Sequence, residues 1–192
     1  PQYQPIRLQA SGKSELKNFT KLEILNQPVF FHGDAFFAGF YLNEILLRLC
    51  PLEEAMLRTF EQYQLTLLQL QQLASHESAS LVLGQLLRLF EHVLLQELEY
   101  AIDFSVDASQ QEILPLQHYQ FQLNDGFIPV AQASRSTIPG SLIATMQSYQ
   151  DEQDFSHEQL RLLGKLYRQM ISSLLGDRPL KSRQLWIQNT QT

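Results

Sequence analysis

The chain has 192 residues, of which 44% are hydrophobic, and a formal net charge of −6 at pH 7. This length and apolar content suffice for one large domain, or for one domain joined to a fragment of another. No apolar run approaches the length of a membrane span, and the single cysteine, Cys50, excludes an internal disulfide and a cysteine-based zinc cluster.

The middle of the chain is predicted to be helical. Asp34 is placed to cap a first helix that runs to about Leu49 and carries apolar residues on nearly all sides, which predicts a central helix. Pro51 then suits the first turn of a second helix, which has one apolar face. The apolar positions of that face are Leu52, Met56, Phe60, Tyr63, Leu67, Leu70 and Ala74.

A third helix is predicted after the polar residues 76–78, because apolar residues again repeat with the helical period. They are Leu83, Leu86, Leu87, Phe90, Val93, Leu94 and Leu98. Arg88 lies on this helix and is the only cation between Arg58 and Arg135. We interpret the apolar stripes as core-forming faces and not as cofactor-binding segments.

The hydrophobic period then changes, which predicts a short β-hairpin inserted between helices. Residues 118–123 alternate strictly between polar and apolar, and Gly126 supplies the turn that follows them. Pro129 confines the returning strand to a sheet edge, since it cannot donate a backbone hydrogen bond. Residues 139–141 are predicted to start a further helix that runs to about Tyr149.

The last long helix is predicted to begin at a capping serine, Ser156. Its buried stripe consists of Leu160, Leu163, Tyr167, Met170, Ile171 and Leu174. Three cations, Arg161, Lys165 and Arg168, share a face that is clear of this stripe. Gly164 lies among them and costs helix stability, which predicts that another backbone approaches closely there.

The segment after this helix is basic. Gly176 is placed to be a left-handed cap, Pro179 blocks continuation of the helix, and three cations follow within six positions. They are Arg178, Lys181 and Arg183. For any one of them, a stabilising role at the helix C-terminus is a sufficient explanation.

Charge is distributed unevenly along the chain. Residues 1–21 and 161–192 contain ten cations and two acids, a balance of +8, whereas residues 22–160 have a balance of −14. If the two ends lie side by side, the folded surface has a basic patch that can neutralise phosphates. The alternative is a set of solvated faces that bind no partner.

The sequence contains no arrangement of residues typical of an enzyme. The five histidines are scattered, and there is no nucleophile elbow, no P-loop and no G-x-G-x-x-G segment. We therefore assign no catalytic residue, no metal ligand and no cofactor, and we predict that the protein is not an enzyme.

Four segments resemble, in order, motifs of one protein family. Residues 11–17 read SGKSELK, residues 33–46 read GDAFFAGFYLNEIL, residues 87–91 read LRLFE and residues 175–186 read LGDRPLKSRQLW. They resemble the S-G-x-G-E-L-K, G-x-x-x-x-x-G-L-Y-x-N-E-L-L, L-R-x-F-E and G-x-x-P-L-K-S-R-x-L motifs of the RecO family of bacterial DNA repair proteins. The first segment and the third are less specific than the other two.

The resemblance implies a mainly α fold in two parts. Residues 1–28 are expected to be the C-terminal strands of an OB-type β-barrel that lacks its first part. Residues 29–192 are expected to form a helical domain with a small β-hairpin insertion near 118–130. Some RecO proteins carry a four-cysteine zinc motif after the middle helix, but the corresponding segment 103–117 has no cysteine, so no metal site is transferred.

The resemblance also implies a function. RecO proteins are cytoplasmic, nucleoid-associated recombination mediators that bind single- and double-stranded DNA and anneal complementary strands. Together with RecR they load RecA onto DNA coated by single-strand-binding protein (SSB). No membrane contact is expected. The positions expected to contact DNA are Arg7, Lys13, Lys17, Arg178, Lys181 and Arg183.

RecO proteins also bind the acidic C-terminal tail of SSB, which ends in a phenylalanine with a free carboxylate. Such a tail requires an apolar groove with a cation at its edge, and Arg88 matches the family position expected to supply that cation. An equally good interpretation is a partly exposed arginine whose stem covers apolar surface. Two other function classes stay open: a helical protein-interaction module without DNA contact, and an all-α enzyme or ligand-binding bundle.

Overall fold

A computed structural model of the chain describes residues 2–13, 17–73, 79–147, 155–176 and 178–190. Its strands and helices, in chain order, are β1 (Ile6–Ser11), β2 (Asn18–Ile24), α1 (Gly33–Leu49), α2 (Leu57–Gln72), α3 (Ala79–Glu97), β3 (His118–Gln122), β4 (Gly126–Val130), β5 (Ile138–Pro139), α4 (Gly140–Ala144), α5 (His157–Leu175) and α6 (Lys181–Thr190). The fold is mainly helical with small antiparallel sheets, which confirms the predicted fold class.

The N-terminal strands form an isolated antiparallel ribbon. Arg7 lies opposite Glu23, and the register shifts between Gln9 and Ala10. Apolar side chains such as Phe19 are exposed, so neither face of the ribbon is covered by the rest of the described chain. The ribbon fits part of an OB-like region, while the proposed domain boundary after residue 28 stays a prediction.

The helices α1, α3 and α5 provide most of the hydrophobic core. Leu42 of α1, Phe90 of α3 and Leu163 of α5 are completely buried, as the apolar spacing predicts. The sheet extends this core through Tyr119 and Phe127, which are also fully buried. Within the described residues, no helix has both the length and the apolar character that crossing a membrane requires.

The predicted hairpin is confirmed. Strands β3 and β4 pair antiparallel with Phe121 opposite Phe127, and Gly126 has a φ of 80° at the turn. The strand order β4-β3-β5 leaves β4, with Pro129, at an edge of the sheet. The two-residue strand β5 was not predicted, because a segment of this length has no measurable period.

The N-terminal starts of the first two helices differ from the predictions. The cap position of α1 is His32 without a side-chain hydrogen bond, so Asp34 lies inside the first turn. Helix α2 begins at Leu57 and not at Pro51, because Glu53 has a φ of 65°, which a right-handed helix cannot include. Consequently Leu52, predicted to be buried, is 92% exposed.

Helix α5 begins as predicted. The hydroxyl of Ser156 accepts a hydrogen bond from the backbone of Gln159, whose side chain accepts one from the backbone of Ser156. The close neighbour of Gly164 is a side chain and not a backbone, since a Cβ there would lie 3.2 Å from Nη1 of Arg88. Gly176 has a φ of 65° but a ψ of −151°, so it caps α5 outside the left-handed helical region.

We expect opposite effects from alanine at two glycines. The backbone N–H of Gly140 donates to Gln117 O at 2.7 Å, and a Cβ at this position would overlap the carbonyl oxygen of Leu114. Gly140→Ala should therefore lower the free energy of unfolding by about 2 kcal/mol or more. Gly84, inside α3, has only ordinary contacts around its Cβ position, so Gly84→Ala should raise it by about 0.5–1 kcal/mol.

Urea unfolding of both variants would check this pair of expectations. Equal stability of Gly140→Ala and the parent would mean that the chain around residues 114–117 moves without cost.

Candidate functional site

The N-terminus of α6 is held by one carboxylate of α1. Glu44 accepts hydrogen bonds from the backbone N–H groups of Lys181 at 2.9 Å and Ser182 at 2.8 Å, and from the Ser182 hydroxyl at 2.6 Å. These N–H groups have no partner within their own helix, and a negative charge is also favoured at a helix start. Burial alone would raise the pKa of Glu44, but the hydrogen bonds and nearby Arg48 outweigh it and lower this pKa.

Contacts of two further side chains, Arg48 and Trp186, fix the basic segment against α1. Arg48 donates to the carbonyl oxygens of Arg178 at 2.6 Å and Pro179 at 3.2 Å. Farther along α6, Trp186 donates to Asp34 at 3.0 Å and stacks on Phe37 with ring centroids 6.1 Å apart. Helix α6 is therefore tied to α1 both at its start and beyond its middle.

Helix α6 closes a cavity of about 440 Å³ between α3 and α5. This volume falls within the range typical of small-ligand sites. The apolar part of its lining comprises Leu87, Ile171, Leu180, Trp186 and Ile187, and the polar part comprises Tyr41, Arg88, Glu91, Arg168, Ser172 and Arg183. This arginine cavity therefore combines an apolar wall with three guanidinium groups.

The first of these arginines is already paired. Nη2 of Arg88 lies 2.7 Å from Oε1 of Glu91, and the side chains are 15% and 1% exposed. The hydroxyl of Tyr41 donates to the same oxygen at 2.5 Å. Burial raises the pKa of Glu91 in spite of Arg88 and Tyr41, which act in the opposite direction.

The other two arginines of the cavity lack such a partner. Within the described part of the chain, neither Arg168 nor Arg183 forms an ion pair with a carboxylate. Burial lowers the pKa of Arg168, and the neighbouring guanidinium groups of Arg183 and Arg88 lower it further. With three arginines and one described acid, Glu91, in its lining, the cavity has an excess of positive charge.

A second, more polar cavity of about 380 Å³ lies beside the first. Arg88 and Arg168 line both cavities, and Arg161 and Lys165 of the predicted basic face line only the second. Because Gly164 has no side chain, the Arg88 guanidinium has space beside α5, where it borders both cavities. The basic face of α5 therefore continues into the arginine cavity.

The predicted DNA-contacting residues of the N-terminal segment have different environments. Arg7 pairs with Glu23 at 3.5 Å, and Lys17 pairs with Glu53 at 2.9 Å, so both charges are partly compensated. Lys13 is exposed. Their contact with DNA stays a prediction.

The C-terminal members of the set separate from one another. Arg178 and Lys181 are exposed, whereas Arg183 is half-buried and lines the arginine cavity with Arg88. Arg178 contacts Arg48 near the end of α1, and Lys17 contacts Glu53 in the loop that follows α1. The segments that contain Lys17 and Arg178 thus approach the same end of this helix.

The described residues contain no group of three His, Cys, Asp or Glu side chains arranged to hold a metal ion. His92 of α3 has its Nδ1 2.9 Å from the Tyr167 hydroxyl of α5. Burial, with Arg58 nearby, lowers the pKa of His92 to about 4, so its ring is neutral at pH 7.

Comparison with known proteins identifies the family. The family described as Recombination protein O C terminal matches residues 31–184. The chain belongs to the RecO family. The DNA repair protein RecO of Pseudoalteromonas translucida is 34% identical over 185 residues, which cover 96% of this chain and 75% of that protein.

Other RecO proteins give similar values. The DNA repair protein RecO of Pseudomonas putida is 36% identical over 183 residues, covering 95% of this chain and 76% of its own. That of Cellvibrio japonicus is 38% identical over 179 residues, covering 91% and 71%. The predicted family is thus confirmed, and RecO membership assigns the chain to DNA repair and recombination.

Sequence reasoning missed the role of Glu44 and the existence of α6. Glu44 lies in the motif of residues 33–46 and Ser182, near the start of α6, lies in the motif of residues 175–186, and these are the two most specific RecO motifs. The available signal was a polar N-E pair in an apolar helix and a serine two residues after Pro-Leu, but their contact spans 138 positions of sequence.

We expect Glu44→Ala to destabilise the protein by about 2–3 kcal/mol, since it removes an acceptor of three hydrogen bonds from a partly buried helix start. The destabilisation should be largest near pH 7 and shrink as the pH falls through the lowered pKa of Glu44, because the parent carboxylate then protonates. Urea unfolding at pH 7 and at a series of pH values that decrease from 4.5 measures both effects.

Glu61→Ala is a suitable control, because Glu61 is an exposed acid on α2. A Glu44→Ala variant as stable as this control at pH 7 would refute the anchoring role.

Proposed function

We propose that this RecO-family chain is a non-enzymatic recombination mediator that binds DNA and the acidic C-terminal tail of SSB. In this role it would anneal complementary strands and, with RecR, assist the loading of RecA. The arginine cavity is the observation that carries the proposal, because it offers both an apolar wall and cations for a peptide that ends in phenylalanine and a carboxylate.

The dimensions and position of the cavity support this occupant. Its volume of about 440 Å³ accommodates an aromatic side chain with its terminal carboxylate. The second cavity, lined by Arg161 and Lys165, has the positive charge that would attract acidic residues preceding the phenylalanine. Arg88, the residue selected from the sequence, lines both spaces.

Exposed cations near the end of α1 support DNA binding. Arg178 and Lys181 have exposed side chains and lie on the same segment, and their position close to the loop that contacts Lys17 favours a shared phosphate-binding surface. Lys13 and Arg7 would extend this surface along the ribbon.

A second candidate function is a helical protein-interaction module without DNA contact of its own. It is favoured by the ion pairs of Arg7 with Glu23 and of Lys17 with Glu53, since paired cations release fewer counterions from DNA. The salt dependence of DNA binding separates the two candidates.

We expect Ile187→Asp to weaken binding of an SSB tail peptide at least tenfold, because it places a carboxylate in the apolar wall that the phenylalanine would contact. Leu185→Asp is a closely matched control: the two residues are 50% and 51% exposed on the same helix, but only Ile187 lines the cavity. Fluorescence anisotropy of a labelled peptide gives both affinities. Equal weakening in the two variants would exclude this cavity as the tail site.

For DNA, we expect the double variant Arg178→Gln/Lys181→Gln to bind single strands more weakly, irrespective of sequence. The slope of log K against log salt should fall by about one unit for each phosphate group that the variant no longer binds. Arg135→Gln is the control, because Arg135 is an exposed cation outside the proposed surface. Arg183 is not changed in this variant, because it lines the arginine cavity. An unchanged slope would favour the interaction module without DNA contact.

A further inference from the structure

We infer that Arg168 and Arg183, which come from α5 and α6, bind the carboxylate of the cavity occupant, while Arg88 stays paired with Glu91 and does not bind it. The inference rests on the proposed function of the same cavity and replaces the single cation expected from the sequence by a pair. The occupant is specified by its chemistry, as an acidic peptide with a carboxy-terminal aromatic residue.

Arg88 is poorly suited to meet an incoming carboxylate. Its guanidinium already shares a charge-assisted hydrogen bond with Glu91, and its side chain is largely covered. Its other terminal nitrogen faces the backbone of Gly164 in the gap between α3 and α5. A carboxylate that approached Arg88 closely would also approach the buried carboxylate of Glu91, and the two negative charges would repel one another.

Arg168 and Arg183 have the opposite situation. They line the same cavity from adjacent helices, and no described carboxylate pairs with either guanidinium. Two such cations near one another repel, and a bound anion relieves this repulsion while gaining charge-assisted hydrogen bonds from both. The lowered pKa of Arg168, due to burial and then to Arg183 and Arg88, agrees with this arrangement.

The apolar side chain of the same terminal residue has a defined place. Leu87, Ile171 and Ile187 form apolar wall on α3, α5 and α6, the three helices that also carry the arginines. With the carboxylate held by Arg168 and Arg183, the aromatic ring of the same residue would lie against this wall. The peptide terminus would therefore bridge α5 and α6.

A double-mutant cycle between protein and peptide tests the inference. An acidic peptide with a terminal phenylalanine is titrated as the free acid and as the C-terminal amide, which removes only the charge in question. The proteins are the parent, Arg168→Gln, Arg183→Gln and the double variant Arg88→Gln/Glu91→Gln, in which the buried pair is removed together so that no buried charge is left alone.

The parent should bind the free acid about ten- to a hundredfold more tightly than the amide. In Arg168→Gln and in Arg183→Gln this ratio should fall to about threefold or less, whereas the Arg88→Gln/Glu91→Gln variant should keep it. Arg88→Lys, which retains a cation beside Glu91, serves if the double variant does not fold, and it should also keep the ratio.

The possible failures are distinguishable. If the parent binds neither peptide, the proposed function fails and the inference fails with it. If the parent prefers the free acid but both Arg168→Gln and Arg183→Gln keep the full preference, the inference alone is overturned. Disappearance of the preference in the Arg88→Gln/Glu91→Gln or Arg88→Lys variant would instead assign the carboxylate to Arg88.

Discussion

The site depends on the carboxylate of Glu44, which fixes the start of α6 on α1. Helix α6 is short, and among its described side chains Ser182 is buried and Arg183 and Trp186 are half-buried while the others are exposed, so its own apolar burial is modest. A ten-residue helix is marginal by itself in water, and tertiary contacts must stabilise it. Glu44 does so by pairing the first N–H groups of α6 with a charge that also favours the helix N-terminus.

A second acid, Glu91, performs a different task. It neutralises Arg88 in the interior, as Glu44 does for Arg48 nearer the surface, and each pair joins residues of a single helix, at i,i+3 or i,i+4. The arginines of α5 and α6 that line the cavity have no acid within four positions, because residues 161–192 contain only one, Asp177. The positive charge of these arginines is therefore not offset by a nearby acid of their own helices.

Long periodic segments were predictable, whereas contacts between distant segments were not. The stripes of α3 and α5 and the alternation in β3 repeat often enough to indicate one element each, and the structure agrees. The predicted start of α2 was wrong because a single positive φ at Glu53 interrupts an otherwise suitable helical pattern of apolar residues. Helix α6 was missed because its mostly polar residues lack a period and its cap, Glu44, lies on another helix.

The predicted site was a set of cations, and its division required the structure. Lys181 and Arg183 are two positions apart, and in a helix with 3.6 residues per turn this separates them by about 200°. They therefore lie on opposite sides of α6, so Lys181 is exposed while Arg183 lines the cavity. A compact basic run in the sequence thus supplies charge to two surfaces. One helix held by Glu44 can present cations to a polyanion outside and to a carboxylate inside, and displacement of α6 would disturb both.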